Sequence, residues 1–146
     1  MSKKILVIGT LAFDSIETPS LKSGIILGGA ATYISFAISK ISNNFGIVSV
    51  VGGDFPLEYL NRIKTTGADI SGVEIVKNKE SFFWSGKYHN DINKRTTLET
   101  KLGVLENFNP IIPENFKDSN IVVLGNLHPS VQNKSIAQLS GKNQFL

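Results

Sequence analysis

Polar residues that could bind a small molecule follow each of three apolar runs in this sequence. Asp14 follows the first run, Asp54 the second and Asn126 the third, and the pair Gly28–Gly29 precedes a helical pattern. Open α/β sheets bind their ligands at the carboxyl ends of parallel strands. Because a carboxylate accepts hydrogen bonds and sugar hydroxyls donate them, the set predicts a site for a hydroxyl-rich small molecule.

Asp14 is the strongest candidate, since Leu11, Ala12 and Phe13 precede it and Ile16 follows it. A carboxylate without a partner is costly among apolar neighbours, so we expect Asp14 to have one. It is therefore more than a solvent-exposed surface charge.

The other polar positions have structural alternatives. Asp54 stands where the N-cap of a helix belongs, and we take that as its main role. Asn126 is either a ligand-binding residue or a turn residue before a helix. Glycines before a helix can cradle a phosphate, or they can let the backbone approach a ligand that a side chain would block, and we favour the second role for Gly28–Gly29.

Alternating strands and helices must position these residues. Every residue of the short runs is apolar or nearly so, and a strand with such a run would be apolar on both faces. That is typical of buried parallel strands. We predict strands over residues 5–8, 47–51 and 121–124, with a further one opening at 144–146, and helices over 30–41, between Asp54 and Gly67, and over 130–139. The expected apolar faces are Ala30, Ile34, Ala37, Ile38 and Ile41 in the first helix, and Leu57, Leu60 and Ile63 in the second. This order predicts an α/β, Rossmann-like fold with a mostly parallel sheet and flanking helices.

Residues 73–102 are instead rich in β-branched and aromatic side chains. We predict strands over 81–88 and 95–102, joined by a turn at 89–93. Such a hairpin either forms a lid or extends the main sheet, and we favour the lid.

Composition excludes several classes of protein. The chain has 146 residues, 41% of them hydrophobic and 18% charged, which indicates one ordinary globular domain. No cysteine is present, so disulfides and thiolate metal sites are excluded. The net charge of +3 is dispersed, and we expect neither nucleic-acid binding nor a membrane span. Without a signal-peptide pattern, we expect a cytoplasmic protein.

Several common site motifs are missing as well. After Gly9 the second glycine of a dinucleotide fingerprint is absent, which argues against a dinucleotide-binding enzyme. Neither Gly86–Lys87 nor Gly141–Lys142 continues as a Walker A loop. His89 and His128 are far apart, without the spacing of metal ligands, so we predict no metal site in this chain.

Four stretches in order, residues 7–14, 28–33, 50–56 and 66–73, resemble the N-terminal half of PfkB-type carbohydrate kinases, which have the ribokinase-like fold. The resemblance covers almost the whole chain. It implies transfer of the ATP γ-phosphoryl group to a hydroxyl of a sugar or nucleoside. It also implies that Asp14, Gly28 and Gly29 line the substrate pocket, with Asn126 nearby. Tyr33 stands where the family commonly has an asparagine ligand, which indicates an altered pocket.

The resemblance further implies a β-rich lid, formed by segments at about 14–27 and 73–102, that in many members also makes a homodimer contact. Excluding water from phosphoryl transfer gives such a lid a physical purpose.

The family's catalytic aspartate lies in a Gly-Ala-Gly-Asp motif that these residues lack. We therefore expect residues 1–146 to be the N-terminal part of a longer kinase, with no catalytic residue of its own and no activity alone. The sites for ATP and Mg²⁺ would lie mostly in the C-terminal half. The alternative is a non-catalytic sugar-binding or regulatory module.

Overall fold

The computed structural model describes residues 3–140 and 144–145 of the chain, which form two β-sheets with helices packed on one of them. The strands are β1 (Ile5–Ile8), β2 (Ala12–Glu17), β3 (Lys22–Gly28), β4 (Phe45–Gly52), β5 (Ala68–Val76), β6 (Phe83–Tyr88), β7 (Arg95–Lys101), β8 (Ile121–Leu124) and β9 (Gln144–Phe145). The helices are α1 (Ala30–Ile38), α2 (Leu57–Lys64) and α3 (Pro129–Ile136), with short 3-10 helices at Gly103–Asn107 and Glu114–Phe116.

The main sheet has five parallel strands in the order β5-β4-β1-β8-β9. Its central strand, β1, is apolar throughout because it packs on both sides. Ile5 and Val7 join the core on the face of α1 and α2, while Leu6 and Ile8 join the core on the opposite face. The predicted α/β fold and its buried parallel strands are confirmed. β1 and β8 have the predicted bounds, and β4 is longer than predicted at both ends.

Helix α1 ends at Ile38, before the predicted end at residue 41, and Ile41 is 83% exposed. Its buried residues are Ala31, Thr32, Ser35 and Ile38, so the predicted apolar face is partly wrong. The hydroxyls of Thr32 and Ser35 donate to carbonyls one turn earlier, at 2.7 and 2.6 Å. Because these bonds satisfy the hydroxyls, small polar residues can face the core.

Asp54 is not the N-cap of α2, so that prediction is wrong. The N-cap position is Pro56, which makes no side-chain cap bond. One carboxylate oxygen of Asp54 instead accepts hydrogen bonds from the backbone N–H and the hydroxyl of Ser81, both at 2.8 Å. Asp54 therefore ties the end of β4 to the segment that leads into the second sheet.

The apolar face of α2 is also smaller than predicted. Leu60 and Ile63 are buried as expected, but Leu57 is 72% exposed. Gly67, the predicted stop, follows the helix with a positive φ of 90°, a conformation that glycine adopts readily. Helix α3 likewise ends earlier than predicted, at Ile136.

The second sheet has the order β3-β2-β6-β7, in which β6 and β7 form the predicted antiparallel hairpin. Both strands are shorter than predicted. The sequence analysis did not identify β2 and β3 as strands, although both fall in the region of the predicted 14–27 segment. Residues 73–76 belong to β5 of the main sheet, so the second sheet takes up the 73–102 segment only from Phe83 onward.

The predicted strand at 144–146 is found at Gln144–Phe145, and Leu146 lies outside the described residues. Across the described part of the chain, no helix has the length and apolar character needed to cross a membrane. The second sheet stands at the carboxyl edge of the main sheet, where Phe13 of β2 packs against Phe55 beyond the end of β4.

Candidate functional site

A cavity of about 450 Å³ lies where the carboxyl edge of the main sheet meets the second sheet. Asp14, Gly29, Tyr33 and Asn126 line it, which brings together four of the five residues that the sequence analysis assigned to a site. The fifth, Gly28, is buried next to Asp14. The rule that ligands bind at the carboxyl ends of parallel strands therefore selected residues that share one cavity at this edge.

Asp14 lies on β2, paired laterally with Trp84 of β6, so both side chains share the face of the second sheet that borders the cavity. Burial raises the pKa of the Asp14 carboxyl, and a hydrogen bond from the backbone N–H of Gly29 partly opposes that rise. A carboxylate that is poorly solvated and held in place is ready to accept hydrogen bonds from a ligand.

The glycine pair is explained by the protein's own groups. A Cβ on Gly28 would overlap the Asp14 carboxylate, and a Cβ on Gly29 would overlap the backbone carbonyl of Thr10. Gly29 also has a φ of 91°, which side-chain-bearing residues rarely adopt. Glycine is required at both positions because a side chain would collide with Asp14 or Thr10. Neither phosphate binding nor close approach of a ligand is needed to explain the pair.

Thr10 is the residue that the sequence analysis missed. It follows β1, is 1% exposed, and caps α1 from a different part of the chain. Its carbonyl accepts the N–H of Ala31 at 2.9 Å, and its hydroxyl accepts the N–H of Ala30 at 3.0 Å. The hydroxyl also donates to Oδ1 of Asn126 at 2.8 Å. The sequence did contain a signal for this role, because Thr10 is a hydroxyl residue just beyond the end of β1.

Asn126 is not the residue that caps α3. That role belongs to His128, whose ring accepts the backbone N–H of Ser130 at 3.2 Å. Asn126 instead lines the cavity and is exposed. Asn126 also lies at a bend, where the N–H of Leu127 donates to the carbonyl of Gly125 at 2.9 Å, so its position fits both a residue of the cavity wall and the alternative of a turn residue before the helix.

Four aromatic side chains also line the cavity. Tyr33, which is 55% exposed, comes from α1, while Phe82, Trp84 and Tyr88 come from the second sheet and its approach. The Arg95 guanidinium lies over the Trp84 ring, 5.3 Å from its centre. The sequence analysis placed these second-sheet residues in a lid but did not assign them to the pocket.

A second cavity of about 670 Å³ adjoins the first and shares Thr10, Phe82 and Asn126 with it. It runs toward the start of α3, where His128 and Lys134 line it. Asn126 therefore stands between the two spaces. Among residues 3–140 and 144–145, no group of three or more acidic or histidine side chains is arranged to hold a metal ion.

No protein-family model matches the sequence. Among solved structures, the chain is similar to the nucleoside kinase of Methanocaldococcus jannaschii, described as an archaeal member of the ribokinase family. The TM-score is 0.75 at 23% identity, over 99% of this chain and 51% of the other. The chain has the fold of the N-terminal half of ribokinase-family kinases.

Two other solved structures show the same similarity of fold. The Burkholderia thailandensis nucleoside kinase, solved with inosine, gives a TM-score of 0.72 at 16% identity over 97% of this chain and 51% of that one. The Cryptococcus neoformans ribokinase, solved with ADP, gives 0.74 at 15% identity over 97% of this chain and 48% of that one.

A curated relative, the cytidine kinase of Thermococcus kodakarensis, is 30% identical over 139 residues, which are 94% of this chain and 49% of that protein. The chain thus spans about half the length of the curated relative and of the solved structures that it matches.

Proposed function

We propose that this chain is the substrate-binding part of a kinase that transfers the γ-phosphoryl group of ATP to a hydroxyl of a nucleoside. The observation that carries the proposal is the Asp14 carboxylate, half-buried in a cavity that four aromatic side chains also line. The carboxylate suits the hydroxyls of a sugar, and the aromatic wall suits a planar base. The similarity to cytidine and nucleoside kinases supports the same substrate class.

ATP and Mg²⁺ would act in the complete kinase, and we expect their sites to lie mostly outside this chain. The expectation is based on the sequence, which lacks Gly-Ala-Gly-Asp. We therefore derive no phosphoryl-transfer step from this chain. Its proposed contribution is to bind and orient the substrate and to exclude water, which are separable parts of such catalysis.

A homodimer through the second sheet and a cytoplasmic location complete the proposal. Two apolar side chains of that sheet, Ile25 and Leu98, are 66% and 51% exposed in the single chain, which supports a contact there.

The first test is binding without turnover. We expect the chain to bind cytidine, detected by calorimetry, and to consume no ATP in a coupled assay with the same nucleoside. Binding alone fits either a kinase part or the alternative, a non-catalytic binding module. Measurable ATP turnover would refute the assignment of catalysis to residues outside this chain, and absence of nucleoside binding would refute the substrate class.

Trp84→Ala tests whether the aromatic wall holds a base. Stacking of a base on an aromatic ring contributes about 1–3 kcal/mol, so we expect the Kd for cytidine to rise about tenfold or more. The affinity for D-ribose, which has no base, should stay unchanged. Calorimetric titration of both ligands checks this.

Trp84→Phe is the matched control, because it keeps an aromatic ring on the face that Asp14 shares. It should retain most of the affinity for cytidine. An equal loss for cytidine and D-ribose in Trp84→Ala would mean that the ring supports the fold of the site and does not contact a base.

A further inference from the structure

The hydroxyl of Thr10 has one proton, and the structure shows where that proton goes. Thr10 is buried, and its oxygen already accepts the N–H of Ala30 at 3.0 Å. A buried hydroxyl still needs an acceptor for its own proton. Among the described residues, the only acceptor that bonds with it is Asn126, at 2.8 Å.

This bond fixes which way the Asn126 carboxamide points. The oxygen and nitrogen of an asparagine are distinguished by their hydrogen-bond partners. Since the Thr10 hydroxyl must donate, the carboxamide turns its oxygen toward Thr10. Its nitrogen, a donor of two hydrogen bonds, then faces away from Thr10, and no described residue accepts a bond from it.

We propose that Thr10 is a positioning residue that holds the Asn126 amide nitrogen toward the ligand, so that the site pairs this donor with the Asp14 acceptor. The proposal deepens the proposed function and rests on it for the identity of the ligand. It defines the ligand as a polyol in which one hydroxyl donates to Asp14 while another oxygen accepts from Asn126.

Positioning matters here because Asn126 is exposed and would otherwise rotate freely. Ordering a free side chain during binding costs affinity, and a side chain that is held beforehand avoids much of that cost. Thr10 also accepts the first N–H groups of α1, which carries Tyr33, so one residue sets the position of two parts of the wall.

Three substitutions test the proposal by cytidine calorimetry. Thr10→Val keeps the shape but removes the hydroxyl, and we expect the Kd to rise about tenfold, the value of one well-placed hydrogen bond. Thr10→Ser keeps the hydroxyl and should bind more tightly than Thr10→Val. Asn126→Asp keeps an oxygen toward Thr10 but replaces the donor nitrogen with a second acceptor, so we expect a loss at least as large as in Thr10→Val.

The outcomes decide the proposal in both directions. Wild-type affinity in Asn126→Asp would overturn the role of the amide nitrogen. Additive losses in the double variant Thr10→Val/Asn126→Ala would overturn the link between the two residues, whereas a double variant no weaker than Asn126→Ala would support it.

A ligand-free measurement separates this proposal from the proposed function. Side-chain ¹⁵N relaxation of Asn126 should show a rigid carboxamide in the wild-type chain and a mobile one in Thr10→Val. Asn61, on the exposed surface of α2, is the internal reference. If the wild-type chain binds no nucleoside but shows this change, the substrate class is wrong and the positioning is supported. If Asn126 is already as mobile as Asn61 in the wild type, the positioning is wrong.

Discussion

Asp14→Asn should weaken cytidine binding about 10- to 100-fold and, in the same molecule, raise the free energy of unfolding of the ligand-free chain at neutral pH. Hydrogen bonds to a charged group contribute about 1.5–3 kcal/mol each, which gives the expected loss of affinity. The gain in stability follows from burial, which raises the pKa of Asp14 and so opposes its charged form in the folded state. Asparagine keeps the size of the side chain and an oxygen for the N–H of Gly29. Calorimetry and urea unfolding measure the two effects.

The stability difference should depend on pH in a defined direction. Because the pKa of Asp14 is raised in the folded state, its charge lowers stability above that pKa. The penalty fades as the pH falls through the raised pKa toward the ordinary aspartate value. The advantage of Asp14→Asn should therefore be largest at neutral pH and should shrink in the acidic range.

Asp69→Asn provides a control of opposite sign. Hydrogen bonds from the side chain and backbone of Ser71 lower the pKa of Asp69, which lies on β5. Its charge stabilises the fold above the ordinary aspartate pKa, and that contribution is lost as the pH falls through the lowered value. Asp69→Asn should thus reduce stability at neutral pH and leave nucleoside binding intact. A loss of neutral-pH stability in Asp14→Asn would contradict the assigned cost of burying its charge.

The local sequence pattern was sufficient to predict the central parallel strands but not to predict every strand of the second sheet. β1 is fully buried and β8 is buried or half-buried at every residue, and both are continuous apolar runs. β2 is mostly half-buried and β3 is mostly exposed or half-buried, and the polar and apolar residues of both strands are mixed. β5 is buried at its first residue and half-buried or exposed beyond it. Its sequence therefore lacks the continuous apolar run by which β1 was recognised.

The site was predictable where a single rule of the fold applied, and unpredictable where distant residues meet. The rule selected Asn126 because it follows β8 of the parallel sheet, and it selected Asp14 although that residue lies within β2 of the second sheet. The bond between Thr10 and Asn126 joins residues separated by 116 positions, and that between Asp54 and Ser81 joins residues 27 apart. Propensity and spacing report on neighbours along the chain, so such pairs become visible only when the fold brings them together.

Gly29→Ala should produce the largest loss of stability among the substitutions at this site. The φ of 91° with a ψ of 146° is nearly exclusive to glycine, and the added Cβ would meet the backbone carbonyl of Thr10. Backbone strain and overpacking each cost about 1–3 kcal/mol, so we expect the free energy of unfolding to fall by about 3–4 kcal/mol. Urea unfolding checks the loss. Nucleoside affinity should fall as well, because the Gly29 N–H favours the charged form of the Asp14 carboxyl and a shift of the backbone would move it away.

Gly24→Ala measures the cost of a positive φ at a position where an added Cβ contacts no other atom. Gly24, on β3, also has a positive φ, of 65°, but a Cβ there would have no atom within 4 Å. Only the backbone preference is lost, at a cost of about 1–2 kcal/mol, and nucleoside binding should not change. If both alanine variants lose the same stability, the contact between Gly29 and Thr10 does not constrain the start of α1. A clear excess in Gly29→Ala would mean that the backbone conformation of Gly29 and its close packing against Thr10 together require glycine, beyond the strain of a positive φ alone.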